Sequence, residues 1–291
     1  MGKWNLIIDV ALCQNCNNCV LAAKDELVGN EFPGYSASHP AHGVGVFRIE
    51  RSVRGSGHLV DAAYVPMTCN HCDDAPCVKA GAGAIKKRDD GIVIIDPERA
   101  RGRRDLVAAC PFGAIIWNEA EQLPQNWFFD AHLLDQGWQA PRCVGVCPTQ
   151  AIEATKVTDA EMAERASREG LRVLKPELGT RPRVHYRNLH RFDRLFVGGS
   201  VVRKQGEGVE CVGDAQVELS ANGQPLHQTI TNAYGDFKFD DIAPATGPVR
   251  VSVRHARYGD GVCDAVVNAS SVVVGEIVLG PQVSASRNPV L

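Results

Sequence analysis

Two groups of cysteines are spaced tightly enough to do chemistry. Cys13, Cys16 and Cys19 recur at every third position, and Cys69, Cys72 and Cys77 form a second triplet. Two further cysteines each precede a proline, in Cys110-Pro111 and Cys147-Pro148. Such spacing lets a backbone wrap three sulfurs around one face of a cubic iron-sulfur cage while a remote Cys-Pro closes the last corner. In the bacterial ferredoxin pattern that last cysteine serves a different cluster from its neighbouring triplet. Two triplets and two Cys-Pro donors suffice for two [4Fe-4S] clusters. Structural zinc is the alternative chemistry, since C-x2-C pairs also build zinc knuckles. Zinc takes two ligands from each of two knuckles, whereas here they come three plus one.

A length of 291 residues implies two domains. The balance of 31 basic against 34 acidic residues, net charge -3, excludes a general nucleic-acid or membrane-surface binder. The densest basic run, Arg99-Ala100-Arg101-Gly102-Arg103-Arg104, reads as a solvated or partner-facing surface. The 11 cysteines are not laid out as a secreted disulfide scaffold. Thiols destined for clusters must stay reduced, which implies a cytoplasmic protein, with export as the passenger of a signal-bearing partner left open. The N-terminus runs straight into Leu6-Ile7-Ile8 without room for a signal peptide, and no apolar run reaches spanning length. No nucleophile with a base, phosphate-cradling glycine loop or open metal position is present, so the chain is not an enzyme on its own.

The elements that must position these thiols follow from pattern. Residues 5–10 read as a strand and 20–27 as a helix whose N-terminal amides can point at an anionic sulfur cage. Strands are expected over 46–53 and 92–95, with 61–67 leading into the second triplet. Cys110-Pro111-Phe112-Gly113-Ala114-Ile115 and Cys147-Pro148-Thr149-Gln150-Ala151-Ile152 form an internal repeat, so residues 1–157 are expected to fold as two ferredoxin-like halves. His39, His42 and His58 read as exposed loop residues without a ligand role. Over 158–197 a helix is expected, with Thr158 as N-cap, Glu161 three residues on and Gly170 at its stop, followed by an extended arm across a surface. Residues 198–281 switch to short strands, at 215–219, 228–231, 236–240, 249–254, 265–267 and 272–279. Turns such as Asn222-Gly223 separate them, giving a small antiparallel β-sandwich. Cys211 and Cys263 within it read as small buried hydrophobes. Residues 282–291 read as a loose tail, and the fold class is α+β.

With both triplets, both Cys-Pro donors, the segment from His132 to Trp138 and the Pro176-Glu177-Leu178-Gly179-Thr180 arm in view, the chain up to about 195 resembles the iron-sulfur beta subunits of dimethyl sulfoxide reductase-family molybdopterin enzymes. The added sandwich, with Thr231-Asn232-Ala233-Tyr234-Gly235-Asp236-Phe237-Lys238-Phe239, resembles the prealbumin-like or carboxypeptidase-regulatory-like module of the small subunits of the pyrogallol-phloroglucinol transhydroxylase and resorcinol hydroxylase type. The resemblance implies an electron-transfer subunit of a heterodimer whose large subunit holds molybdopterin and transforms a hydroxylated aromatic. The alternatives are a beta subunit serving sulfur, nitrogen or arsenic oxyanions, or a non-redox scaffold. The family's nested pairing assigns Cys13, Cys16, Cys19 and Cys147 to one cluster and Cys69, Cys72, Cys77 and Cys110 to the other. Where the four-cluster family places a third set, this chain has Gly81, Ala100, Arg103 and Leu106. Where it places the remaining set, the chain has Ala23, Trp127 and Asp130 beside Cys143. The resemblance therefore implies two clusters, with Cys143 a leftover thiol.

Overall fold

A computed structural model describes residues 2–43 and 45–280, so the tail expected over 282–291 lies outside the described residues. The chain divides into two compact units, Met1–Arg51 with Ala63–Phe192 and Ser52–Ala62 with Asp193–Leu291. The first unit opens with β1 (Lys3–Asp9) and α1 (Asn18–Leu27), then a hairpin of β2 (Arg48–Ser56) and β3 (Leu59–Met67) whose tip belongs to the second unit. There follow α2 (Pro76–Gly81), the hairpin β4 (Ile85–Lys87) and β5 (Val93–Ile95), α3 (Asp105–Ala108), and the hairpin β6 (Ile116–Asn118) and β7 (Leu123–Gln125). It ends with α4 (Ala131–Asp135), α5 (Arg142–Gly145), β8 (Ile152–Val157), α6 (Asp159–Glu169), β9 (Val184–Arg187) and the closing turn α7 (His190–Asp193).

β1 is the hub of this unit. It pairs antiparallel with β8 on one side and parallel with β9 on the other. Leu6, Ile7 and Ile8 are each at most 1% exposed, as a continuous apolar run buried on both faces should be. Each such side chain contributes about 1.5–3 kcal/mol on burial. The register sets Ile8 opposite Ile152, and the Asp9 amide donates to the Ala151 carbonyl at 2.8 Å. Cys13, just past β1, and Cys147, just before β8, therefore emerge at the same end of the ladder.

The helix stop signals act as expected. The Thr158 hydroxyl accepts from the Glu161 amide, the Glu161 side chain accepts from the Thr158 amide, and Gly170 closes α6 at φ 61°. The segment after it is not a surface arm. Amides of Asp73, Asp74 and Arg183 donate to carbonyls of Arg181, Thr180 and Asn70, pinning 180–183 to the second cysteine loop, and β9 then buries Tyr186. Nor is His39 an exposed loop residue. It is 6% exposed with Nε2 3.0 Å from the Ser36 hydroxyl, and burial pushes its pKa down to about 4. Its only sequence signal was the neighbouring serine.

The second unit is all strand: β10 (Leu195–Gln205), β11 (Gly208–Cys211), β12 (Gln216–Ala221), β13 (Gln224–Ile230), β14 (Asp236–Ile242), β15 (Gly247–His255), β16 (Gly259–Val267) and β17 (Val272–Leu279). One sheet is built on β10, which pairs with β11, β14 and β17, and the other runs β13-β12-β15-β16. Val249, Val251 and Val253 point inward while Arg250 and Arg254 point out, the period-two alternation of a half-buried sheet. β10 and β11 had no counterpart in the sequence expectation, because Leu195-Phe196-Val197-Gly198-Gly199 reads as a break. The glycines are there because backbone approaches: a Cβ at Gly199 would meet the Gly275 carbonyl oxygen at 2.7 Å and one at Gly198 the Phe237 oxygen at 3.0 Å. Cys211, on an edge strand, is exposed rather than buried and Cys263 is half-buried; neither is in a disulfide.

Two outcomes follow from these local arrangements. Gly199→Ala is expected to destabilise the second unit by about 1–3 kcal/mol, seen as faster amide exchange along β10 and β17. Thr158→Ala should cost α6 about 1 kcal/mol and Thr158→Ser almost nothing, with exchange in α6 as the readout; equal effects of the two would remove the cap's role.

Candidate metal centre

The first cysteine loop turns tightly because Asn15 and Asn17 adopt φ 55° and 62°, a left-handed conformation that asparagine tolerates better than most residues. This coils Cys13, Cys16 and Cys19 onto one side, and the β1–β8 ladder delivers Cys147 to them. The four thiols line one narrow cleft together with Ile49 and Pro66. Burial, then the neighbouring charges of Cys13, Cys16 and Cys147, pushes the Cys19 thiol up to about 11. Cys13 is raised by burial and by Cys147 and Cys16, against the Asn15 amide, which lowers it. The Ala151 amide donates to Cys147 Sγ at 3.2 Å.

The second loop is held from two sides. His71, at φ 45°, accepts the Val93 amide at Nδ1 (3.0 Å), and the Lys87 ammonium donates to the His71 carbonyl at 2.6 Å, so the β4–β5 hairpin grips the loop between Cys69 and Cys72. Arg183, almost fully buried, pairs with Asp73 and Asp159 and fixes the loop's far end. Burial alone would raise Asp73, but its bonds to Arg183 and Lys87 hold it below the usual carboxylate range. Burial, then Cys110, then Cys72 raises Cys77 to about 11, and Cys72 reaches about 11 through burial and Cys110, against the nearby Thr180 hydroxyl. Cys69 is raised furthest, by burial, with Cys110 and Cys77 adding to it. The Ala114 amide donates to Cys110 Sγ at 3.4 Å, the same contact that Ala151 makes with Cys147, so the Cys-Pro repeat is a repeat of geometry as well as of letters.

The eight thiols thus fall into two mutually facing sets of four. Each set is penalised by burial and by self-repulsion, and each is already supplied with amide donors, a combination suited to thiolates wrapped on a cationic iron core. A tetrahedral zinc needs its sulfurs about 2.3 Å from one point. Among the described residues no three His, Cys, Asp or Glu side chains are grouped to hold a single metal ion.

The other two places where the resemblance locates clusters in the wider family are filled with protein. Ala100 and Leu106 are fully buried in an apolar cluster with Ile85, Val93, Ile95 and Leu123, and a Cβ at Gly81 would meet Ile85 at 2.9 Å. Arg103 turns outward to Asp105 and the Ala80 carbonyl. At the last place Trp127 stacks on Phe129 with ring centroids 4.8 Å apart and donates from Nε1 to Asp130 at 2.9 Å. The other Asp130 oxygen accepts the Arg142 amide at 2.8 Å. Cys143 is buried beside it, its thiol raised well above the ordinary value by burial and then by Asp130.

Sequence reasoning missed Asn126, Lys87, Asp73, Arg183 and Thr180, which surround the second set. Lys, Asp and Arg there look like ordinary surface residues. Only Asn126, a polar residue opening the apolar run Trp127-Phe128-Phe129, stood out from its surroundings.

A family model described as a 4Fe-4S dicluster domain matches residues 60–157. The chain is 42% identical over 282 residues to the pyrogallol hydroxytransferase small subunit of Pelobacter acidigallici, covering 96% of this chain and 100% of that one. It is 32% identical over 209 residues to a tetrathionate reductase subunit of Salmonella typhimurium (70% and 78% covered) and 26% identical over 235 residues to the arsenate respiratory reductase iron-sulfur subunit of a Shewanella species (63% and 95%). Two facing thiol sets and a relative aligned from end to end place the molecule: the chain belongs to the family of iron-sulfur small subunits of the molybdopterin oxidoreductases, on the branch of the pyrogallol hydroxytransferase small subunit.

Proposed function

We propose that this chain carries electrons through two [4Fe-4S] clusters, one held by Cys13, Cys16, Cys19 and Cys147 and the other by Cys69, Cys72, Cys77 and Cys110, in a double ferredoxin-like domain. The observation that carries the assignment is that Cys13, Cys16, Cys19 and Cys147 line one cleft. With Cys110 close enough to raise Cys69, Cys72 and Cys77 and Cys147 close enough to raise Cys13 and Cys19, this supports the nested arrangement over the swapped one. When bound, such clusters take up and release single electrons. The chain's residues hold the thiolates at fixed positions, donate amide hydrogens from Ala114 and Ala151, and bury Cys69 and Cys72 of the second set. The buried apolar packing at Gly81, Ala100 and Leu106, and the fully engaged Asp130, support two clusters rather than three or four.

The partner in this reading is a large molybdopterin-containing subunit that performs the organic chemistry on hydroxylated aromatics. The end-to-end match to a pyrogallol hydroxytransferase small subunit, which runs through the sandwich, supports that substrate class over the oxyanion class of the tetrathionate and arsenate relatives, whose matches cover less of this chain. No helix among the described residues is long and apolar enough to cross a membrane.

Anaerobically purified chain is expected to contain about eight irons with matching sulfide and to show reduced-cluster signals in low-temperature electron paramagnetic resonance; zinc in place of iron ends this reading. Cys147→Ser should lose about half the iron, while Cys143→Ser keeps all of it, and iron loss in the second variant would mean that a third cluster uses Cys143. Co-purification with its partner and assay on phenolic substrates against tetrathionate and arsenate tests the substrate class. Turnover of an oxyanion alone would move the chain to the other branch.

A further inference from the structure

Asn126 is 3% exposed, and its side-chain nitrogen lies 3.4 Å from Cys69 Sγ, 3.1 Å from the Val93 carbonyl oxygen and 3.1 Å from the Trp127 carbonyl oxygen. The orientation of a buried amide is set by what faces it. Two carbonyl oxygens, which can only accept, fix the NH2 end on this side; its two hydrogens are shared among three acceptors, so the sulfur faces a donor nitrogen through a shared N–H and not through a lone pair. At Cys147 the corresponding nitrogen donor is a backbone amide alone, with the Thr149 hydroxyl at 3.7 Å. Lys87, a cation whose charge reaches Cys72, is paired with Asp73 and donates to the His71 and Gly91 carbonyls.

Resting on the cluster assignment above, we propose that Asn126 is a positioning residue for electron transfer: its N–H on Cys69 Sγ raises the reduction potential of the Cys69/Cys72/Cys77/Cys110 centre and leaves the Cys13/Cys16/Cys19/Cys147 centre untouched. The step is a one-electron uptake from the donor used in the titration. The cage with its thiolates gains one negative charge, part of which falls on the sulfurs, and no proton moves. A hydrogen donated to a sulfur stabilises the reduced form more than the oxidised form, so the donor moves the potential upward.

The test is a redox titration of the full iron-loaded chain, with dithionite as reductant, followed by electron paramagnetic resonance, for wild type, Asn126→Leu and Asn126→Ser. Leucine fills the same space without a donor. Serine keeps a shorter, weaker one and is the variant that decides should leucine fail to load iron. The expected result is unchanged iron content, one centre shifted to lower potential in Asn126→Leu and less so in Asn126→Ser, and the other centre unmoved. Full iron with both potentials at their wild-type values overturns the proposal, as does a common shift of both centres. Iron lost from both variants also overturns it, by making Asn126 a prop for the loop rather than a tuner. A wild-type chain without iron would instead fail the cluster assignment itself, so the two failures are distinguishable.

Discussion

The constraint on which the first unit depends is the register between β1 and β8. The sulfur of Cys147 has to meet three sulfurs more than a hundred residues before it, and the longest link between those regions is a six-pair antiparallel ladder with Ile8 opposite Ile152, supplemented by the Asn18 side chain on the Val146 carbonyl. Side chains alternate along a strand, so a slip of one residue would set Asn5, Ile7 and Asp9 where Trp4, Leu6 and Ile8 join the core, and would displace the cysteine-bearing ends. The apolar burial of β1 therefore does two jobs at once. It supplies core energy, and it makes the correct convergence of thiols the one that also buries Leu6 and Ile8.

The second set is positioned differently. No long ladder holds the loop that carries Cys69 and Cys72; polar contacts do. Lys87 on the His71 carbonyl, Val93 on the His71 ring, Arg183 on Asp73 and the backbone bonds from 180–183 to 70–74 clamp the loop from both flanks. Arg183 is almost fully buried and shared between Asp73 and Asp159, and Asp73 is shared with Lys87, so the clamp is a network in which each charge has more than one partner. The segment after α6 thus also closes the cysteine loop.

This difference explains what could be read in the chain beforehand. The cysteine sets, the Thr158 cap, the Gly170 stop and most sandwich strands announce themselves, because spacing, capping chemistry and period-two alternation are local. β10 did not, since Gly198 and Gly199 look like a loop until the Phe237 and Gly275 carbonyls that crowd them are known. His39 and Cys211 were misjudged for the same kind of reason. The histidine packs beside Leu27, Phe47 and Ile116 with Ser36 as its polar partner, and an edge position exposes the cysteine. The residues around the second set carry no pattern at all, because Lys87, Asp73 and Arg183 become a site only when chain segments far apart in sequence are folded together.

The two thiol sets also differ in what can hydrogen-bond to them. Around the first, Cys16 is exposed, as are Gln14, Asn15 and Asn17, so water can reach the sulfurs and stabilise added negative charge. Around the second, Cys69 and Cys72 are buried beneath His71, Asn126 and Thr180, each itself no more than 4% exposed. Removing water from an anionic centre disfavours its reduction, whereas hydrogen bonds to sulfur favour it. A more buried centre that is to accept an electron near the range of a more exposed one must therefore receive from the protein donors that solvent can provide elsewhere. The side-chain amide sits on Cys69, a buried thiol of the second set, whereas Cys16 of the first set is exposed.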